Sequence, residues 1–185
     1  WFEQNPEGNP CIVAPTGSGK SHMIAAFCKK ALQEFPETKI LMLTHVKELI
    51  QQNASKMREH WPDAPLGIFS ASIGKKDLGK EITFAGIQSI ANATIQHYEI
   101  LIIDECHLVA PSEAGQYHKL IINLKEVNPN LKILGLTATP YRLDSGYLTQ
   151  WDNPIFERVV YKIDVKLLIK RGYLCPVVSN GGGVK

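Results

Sequence analysis

The chain has 185 residues, 44% of them hydrophobic and 21% charged, with a formal net charge of +2. That length suits one well-buried domain and is short for two, and the near-neutral balance confines any polyanion contact to a local surface. No apolar stretch approaches the ~20 residues that span a bilayer, and Trp1-Phe2-Glu3-Gln4 lacks a signal-peptide pattern, so no membrane partner is expected.

Residues 1–10 read as a lead-in, because Asn5-Pro6-Glu7-Gly8-Asn9-Pro10 is turn chemistry. Cys11–Ala14 is a short apolar run that predicts a buried strand. From Ser21 to Phe35, apolar residues recur at Ile24, Phe27, Cys28, Ala31 and Phe35, the spacing of one helix face. Ile40–Leu43 predicts a second strand, and Leu49, Ile50 and Met57 mark a helix reaching about His60. Short strands are predicted near Gly67–Ala71 and Glu81–Ala85, separated by a basic loop, Gly74–Lys80, whose lysines read as a solvated surface. Ile100–Ile103 is a strongly apolar strand. Glu113–Val127 predicts a helix stopped by Asn128-Pro129-Asn130, and Ile133–Leu136 another buried strand. Asp164 can cap a helix running through Lys170-Arg171, with Gly172 placed to end it in a left-handed turn. Residues 11–180 form the expected domain, and residues 181–185, opening on Gly181-Gly182-Gly183, read as a tail or linker.

Continuous Ile/Leu/Val strands alternating with amphipathic helices imply an α/β fold, a mainly parallel central sheet covered on both faces. Ligands in such folds bind at the carboxyl ends of the strands, and every chemistry-bearing run in this chain directly follows a predicted strand. Ala14-Pro15-Thr16-Gly17-Ser18-Gly19-Lys20-Ser21 fits the phosphate-loop pattern except that Ala14 replaces its first glycine. Gly17 and Gly19 let the backbone curl so that N–H groups point at phosphate oxygens, and the following helix adds its positive end. Lys20 would reach the β- and γ-phosphates, and the Ser21 hydroxyl would ligate Mg²⁺. Asp104, emerging after Ile100–Ile103, would hold the same Mg²⁺ directly or through water, leaving Glu105 to deprotonate the attacking water. The scattered cysteines Cys11, Cys28, Cys106 and Cys175 form no C-x-x-C pair, which points to reduced thiols in a cytoplasmic protein. Cys106 and His107 are not expected to form a metal pair, since adjacent side chains at a strand end point apart.

The phosphate loop, the Asp104-Glu105-Cys106-His107 box and Thr137-Ala138-Thr139-Pro140, in this order and spacing, resemble motifs I, II and III of superfamily 2 helicases. Three segments resemble RadD-type bacterial DNA-repair helicases: Thr44–Leu49, Phe84–Ile90, and Val127-Asn128-Pro129 through Leu136–Leu143. Restriction-enzyme motor subunits and excision-repair translocases share parts of this set.

The resemblance implies a RecA-like, P-loop NTPase three-layer sandwich that uses ATP and Mg²⁺ and acts on nucleic acid, DNA ahead of RNA, through backbone contacts. It implies nucleic-acid contacts from Thr44, His45, Lys47, Gly86 and Gln88, with Thr44 and His45 alternatively core or cap residues and Lys47 and Gln88 alternatively plain surface residues. It assigns His107, Thr137 and Thr139 to coupling between hydrolysis and movement. It also implies an adenine-selecting glutamine upstream, for which Gln4 stands too near the first strand, and a second RecA-like domain with an arginine finger, for which this sequence has no candidate. The expectation is the first domain of a two-domain motor. The alternatives are the motor domain of a restriction enzyme, a nucleotide-dependent binding switch that does not translocate, and, last, a small-molecule kinase.

Overall fold

Strand β2 (Ile40–Thr44) shows how the domain is layered. Its side chains alternate, Leu41 and Leu43 joining one buried cluster while Ile40 and Met42 join another. A strand buried on both faces must lie inside a sheet covered on both sides. The computed structural model describes residues 2–94, 96–110, 115–143 and 145–175. The predicted Gly-rich tail and the far end of the predicted domain therefore lie outside the described residues.

The other strands of the main sheet are β1 (Pro10–Val13), β3 (Leu66–Ser70), β4 (Lys75–Lys76), β5 (Ile82–Gly86), β6 (Ile100–Asp104), β7 (Lys132–Thr137) and β10 (Arg158–Lys162). Their order is β10-β1-β7-β6-β2-β5-β3-β4, and every neighbouring pair is parallel except β3 with β4. A separate hairpin joins β8 (Tyr141–Arg142) to β9 (Gly146–Tyr147).

Helices α1 (Lys20–Glu34) and α2 (Lys47–His60) cover one face through Ile24, Ala25 and Cys28 and through Ile50, Ala54 and Met57. Helices α3 (Ile87–Ile90) and α4 (Gln116–Val127) cover the other through Ile87, Ile90, Tyr117, Leu120 and Leu124. The result is the expected α/β three-layer sandwich. Close packing on this second face depends on Gly135, where a Cβ would lie 2.6 Å from the buried Phe156 ring.

Where an element was expected, its boundaries agree to within a few residues, except that the start predicted at Glu113 lies outside the described residues; α3 and the β8–β9 hairpin had no expected counterpart. Helix α5 (Val165–Lys170) starts where expected, the Asp164 carboxylate accepting a bond from the Lys166 N–H, and Gly172 adopts the left-handed φ of 75°. Two differences stand out. The basic segment expected as a loop contains β4, whose exposed lysines blunt the edge of the sheet. Strand β10 had no expected counterpart, because a half-exposed edge strand bracketed by Arg158 and Lys162 lacks the apolar run of its neighbours. Among the described residues, no helix is long and apolar enough to cross a membrane.

Candidate functional site

Strand β1 delivers the chain to the carboxyl edge of the sheet, where the Ala14 N–H bonds the Thr137 carbonyl at the end of β7 (2.8 Å). The chain then turns tightly: the Ser18 N–H bonds the Pro15 carbonyl, and Gly17 and Gly19 take φ of 78° and 84°, a region costly for any side chain. Pro15 and Thr16 form the first half of this turn. Helix α1 begins at Lys20 with no side-chain cap and no acidic residue in its first turn, so its orphan N–H groups and positive end face the turn unmasked. The buried Ser18 hydroxyl has no partner. Left-handed glycines, an uncapped helix start and an orphaned hydroxyl fit a phosphate chain.

Asp104 ends β6, two strands from β1, and is 3% exposed. Lys20 Nζ lies 2.9 Å from Asp104 Oδ1 and 2.5 Å from Glu105 Oε1. Burial works against the charged amine, but the Asp104 and Glu105 carboxylates outweigh it and hold the Lys20 pKa above its ordinary value. The Glu105 N–H donates to Asp104 Oδ1 at 3.0 Å. Glu105 is the non-glycine residue with positive φ among those described, at 50°, a left-handed conformation costing about 1–2 kcal/mol that aims its carboxylate back at Lys20.

His107 Nδ1 lies 2.8 Å from Thr137 Oγ1 and 3.4 Å from Glu105 Oε2. The Thr137 hydroxyl donates to the Thr139 carbonyl and accepts from the Thr139 N–H, both at 3.0 Å. With its single proton committed, Thr137 must accept from His107, so the imidazole carries hydrogen on Nδ1. Cys106 turns the other way, its Sγ 3.7 Å from that of Cys11 in the core, and burial pushes its thiol pKa well up.

The residues implied in nucleic-acid contact meet beyond β2 and β5. His45, Lys47, Gly86 and Gln88 line one groove of about 420 Å³ with Ser70, Ser72 and Ser89. The His45 ring stacks on Tyr117, with ring centres 6.5 Å apart. Thr44 is the exception. It is fully buried and bonds the Val46 carbonyl, so it shapes the turn under the groove and offers no surface, as its core alternative requires. A larger cavity of about 800 Å³ opens at the opposite edge, lined by Glu34, Phe35, His97 and Glu99, away from the phosphate-type turn.

The sequence reading missed Asn53. Its Nδ2 donates to Asp104 Oδ2 at 2.8 Å from the edge of the buried stripe Ile50–Ala54–Met57 on α2. A polar amide bordering that stripe was the available signal.

Divalent metal is tested by the donor set. Asp104 offers a nearly buried carboxylate and Ser21 a hydroxyl in the first turn of α1. Mg²⁺ takes few protein oxygens and retains waters, so these donors fit it.

Residues 2–142 match the family model described as type III restriction enzyme, res subunit. The chain is 26% identical over 157 residues to the mouse ATP-dependent RNA helicase DHX58, covering 72% of this chain and 23% of the relative. It spans under a third of the length of the curated relatives it matches: 31%, 23% and 19%. Among solved structures, the Hef helicase domain of Pyrococcus furiosus superposes with a TM-score of 0.67 at 23% identity, over 86% of this chain and 36% of that one. The UvsW helicase of bacteriophage T4 superposes with a TM-score of 0.65 at 18% identity, over 87% and 59%. At such identities these structures speak to the fold. The family model covers most of the sequence, from the lead-in through Arg142, and this chain belongs to the type III restriction enzyme res subunit family.

Proposed function

We propose that this chain is the first RecA-like domain of an ATP-dependent DNA motor acting in the cytoplasm. It binds ATP with Mg²⁺ and, paired with a second RecA-like domain, hydrolyses it to ADP and phosphate while a nucleic-acid strand lies in the adjoining groove. One observation carries the reading: Lys20 converges on Asp104 and Glu105 at the same sheet edge that carries the groove.

The turn Pro15–Ser21 cradles the phosphates through its N–H groups, and Lys20 leaves its carboxylate partners to meet the β- and γ-phosphates. Asp104 and Ser21 would hold Mg²⁺, which when bound neutralises phosphate charge. Once Lys20 turns to phosphate, Glu105 is free to take the proton from the attacking water. His107, bonded to Thr137 and within reach of Glu105, links this base to the β7 end, and Thr139 carries the link outward. His45, Lys47, Gly86 and Gln88 hold the strand by its backbone, which makes affinity salt-dependent and nearly blind to sequence.

Titration with a fluorescent ATP analogue tests the site. Saturable, Mg²⁺-dependent binding that Lys20→Ala removes is expected; equal binding by the variant overturns the reading. Within this reading, Thr44–Leu49 and Phe84–Ile90 favour a RadD-type DNA-repair motor. The family match favours a restriction-enzyme motor subunit instead. A nuclease or methylase neighbour in the parent protein would select the second. A parent that binds but never moves along DNA would be a switch.

A further inference from the structure

Helix α2 is the one described element that touches both the groove and the Asp104 carboxylate. Lys47 and Ile50 line the groove, while Asn53, further along the same helix, donates to Asp104 Oδ2 at 2.8 Å. Asn53 follows Lys47 by six positions, about 9 Å along one rigid rod. Asp104 Oδ1 is taken by Lys20 and the Glu105 N–H, and among the described residues Asn53 supplies the hydrogen bond to the other oxygen. It therefore sets the plane of the carboxylate.

We infer that Asn53 is a positioning residue that couples occupancy of the groove to metal-nucleotide binding, by fixing the orientation of Asp104 from the helix whose first turn lines one side of the groove. The inference rests on the reading of Asp104 as the metal-holding carboxylate. A phosphate backbone drawn to Lys47, the first residue of α2, shifts that helix as a body, and the Asn53 amide carries the shift to Asp104 Oδ2. Only a short neutral donor serves here. A carboxylate at 53 would repel Asp104, and an apolar side chain would leave Oδ2 without its bond. Partners that orient a metal-holding carboxylate commonly change metal affinity by roughly 10–100-fold when removed. Two sites that bias one rigid element must also affect each other reciprocally.

The test uses this chain, a fluorescent ATP analogue and a single-stranded oligonucleotide, with nucleotide affinity measured across a Mg²⁺ titration with and without the oligonucleotide. In the unaltered chain the oligonucleotide should tighten nucleotide binding several-fold, and Mg²⁺-nucleotide should tighten oligonucleotide binding by the same factor. Asn53→Ala should raise the Mg²⁺ half-saturation roughly tenfold and erase the mutual effect, while metal-free nucleotide binding and oligonucleotide binding alone, measured well below the melting temperature of either protein, stay near those of the unaltered chain. Asn53→Ser, which retains a short donor, should recover part of the Mg²⁺ response; Asn53→Asp, nearly isosteric without the donor, should not. An unchanged Mg²⁺ half-saturation and unchanged mutual effect in Asn53→Ala overturn the inference even when nucleotide binding is intact. Absence of Mg²⁺-dependent binding in the unaltered chain, or its persistence in Lys20→Ala, overturns the reading of the site itself.

Discussion

His107 donates its Nδ1 hydrogen to the Thr137 hydroxyl at 2.8 Å, and that hydroxyl is already committed as donor to the Thr139 carbonyl. The bond ties the acidic box to the end of β7 and fixes the imidazole tautomer, with Glu105 Oε2 a longer 3.4 Å from the same nitrogen. Thr137→Val keeps the shape of this fully buried side chain and removes both roles of the oxygen. The His107 and Thr139 donors then lose their acceptor, at a cost of about 1–3 kcal/mol. Urea unfolding measures the loss. A stability equal to that of the unaltered chain would show that the bond contributes nothing.

Glu105 sits in a left-handed backbone conformation that glutamine tolerates no worse, so Glu105→Gln should fold normally. It should retain nucleotide binding and abolish hydrolysis in the complete protein, because an amide cannot accept the proton from water. Steady-state phosphate release checks this. On the proposed two-domain reading, the chain alone should turn over slowly whichever residue is present, since an arginine finger is worth roughly 10³–10⁵-fold in phosphoryl transfer. Rapid DNA-stimulated turnover by this chain would contradict the two-domain mechanism.

Lys20 yields a pH prediction whose direction follows from its raised pKa. A lysine bound more tightly as the cation contributes fully below its ordinary value and loses that contribution as pH rises through the raised folded value. The stability difference between the unaltered chain and Lys20→Met should therefore stay constant from pH 7 upward and shrink only as pH passes the ordinary lysine value of about 10.4. Denaturant titrations across this range measure it. A difference that vanished by pH 8 would mean the ion pair with Asp104 and Glu105 does not form in solution.

Gly135 faces the ring of Phe156, where a Cβ would come within 2.6 Å of Cε1. Gly135→Ala should cost about 1–3 kcal/mol through overpacking, read as a lower thermal midpoint. Pairing it with Phe156→Leu should restore part of the loss, because the double variant relieves the clash. If the two losses simply add, the contact is not the cause.

The phosphate-type turn and the acidic box could be read directly from the chain, because each depends on neighbours in sequence: glycines that permit positive φ, a helix start, and an apolar run that places Asp104 at a strand end. Alternating strands and helices likewise announced the parallel sheet. Other features depend on which strand lies beside which. The order β1-β7-β6-β2 carries Lys20 to Asp104, and the same order brings His107 to Thr137. It also sets Asn53 of α2 against the Asp104 carboxylate, and it puts Thr44 beneath the groove surface that its motif position had suggested. Strand β10 joins the sheet only because β1 offers it an edge. Local backbone preference is written residue by residue, so the sequence alone determined the parts. Contacts between distant residues follow from packing two covered faces into one sheet, so only the tertiary structure decided which parts meet.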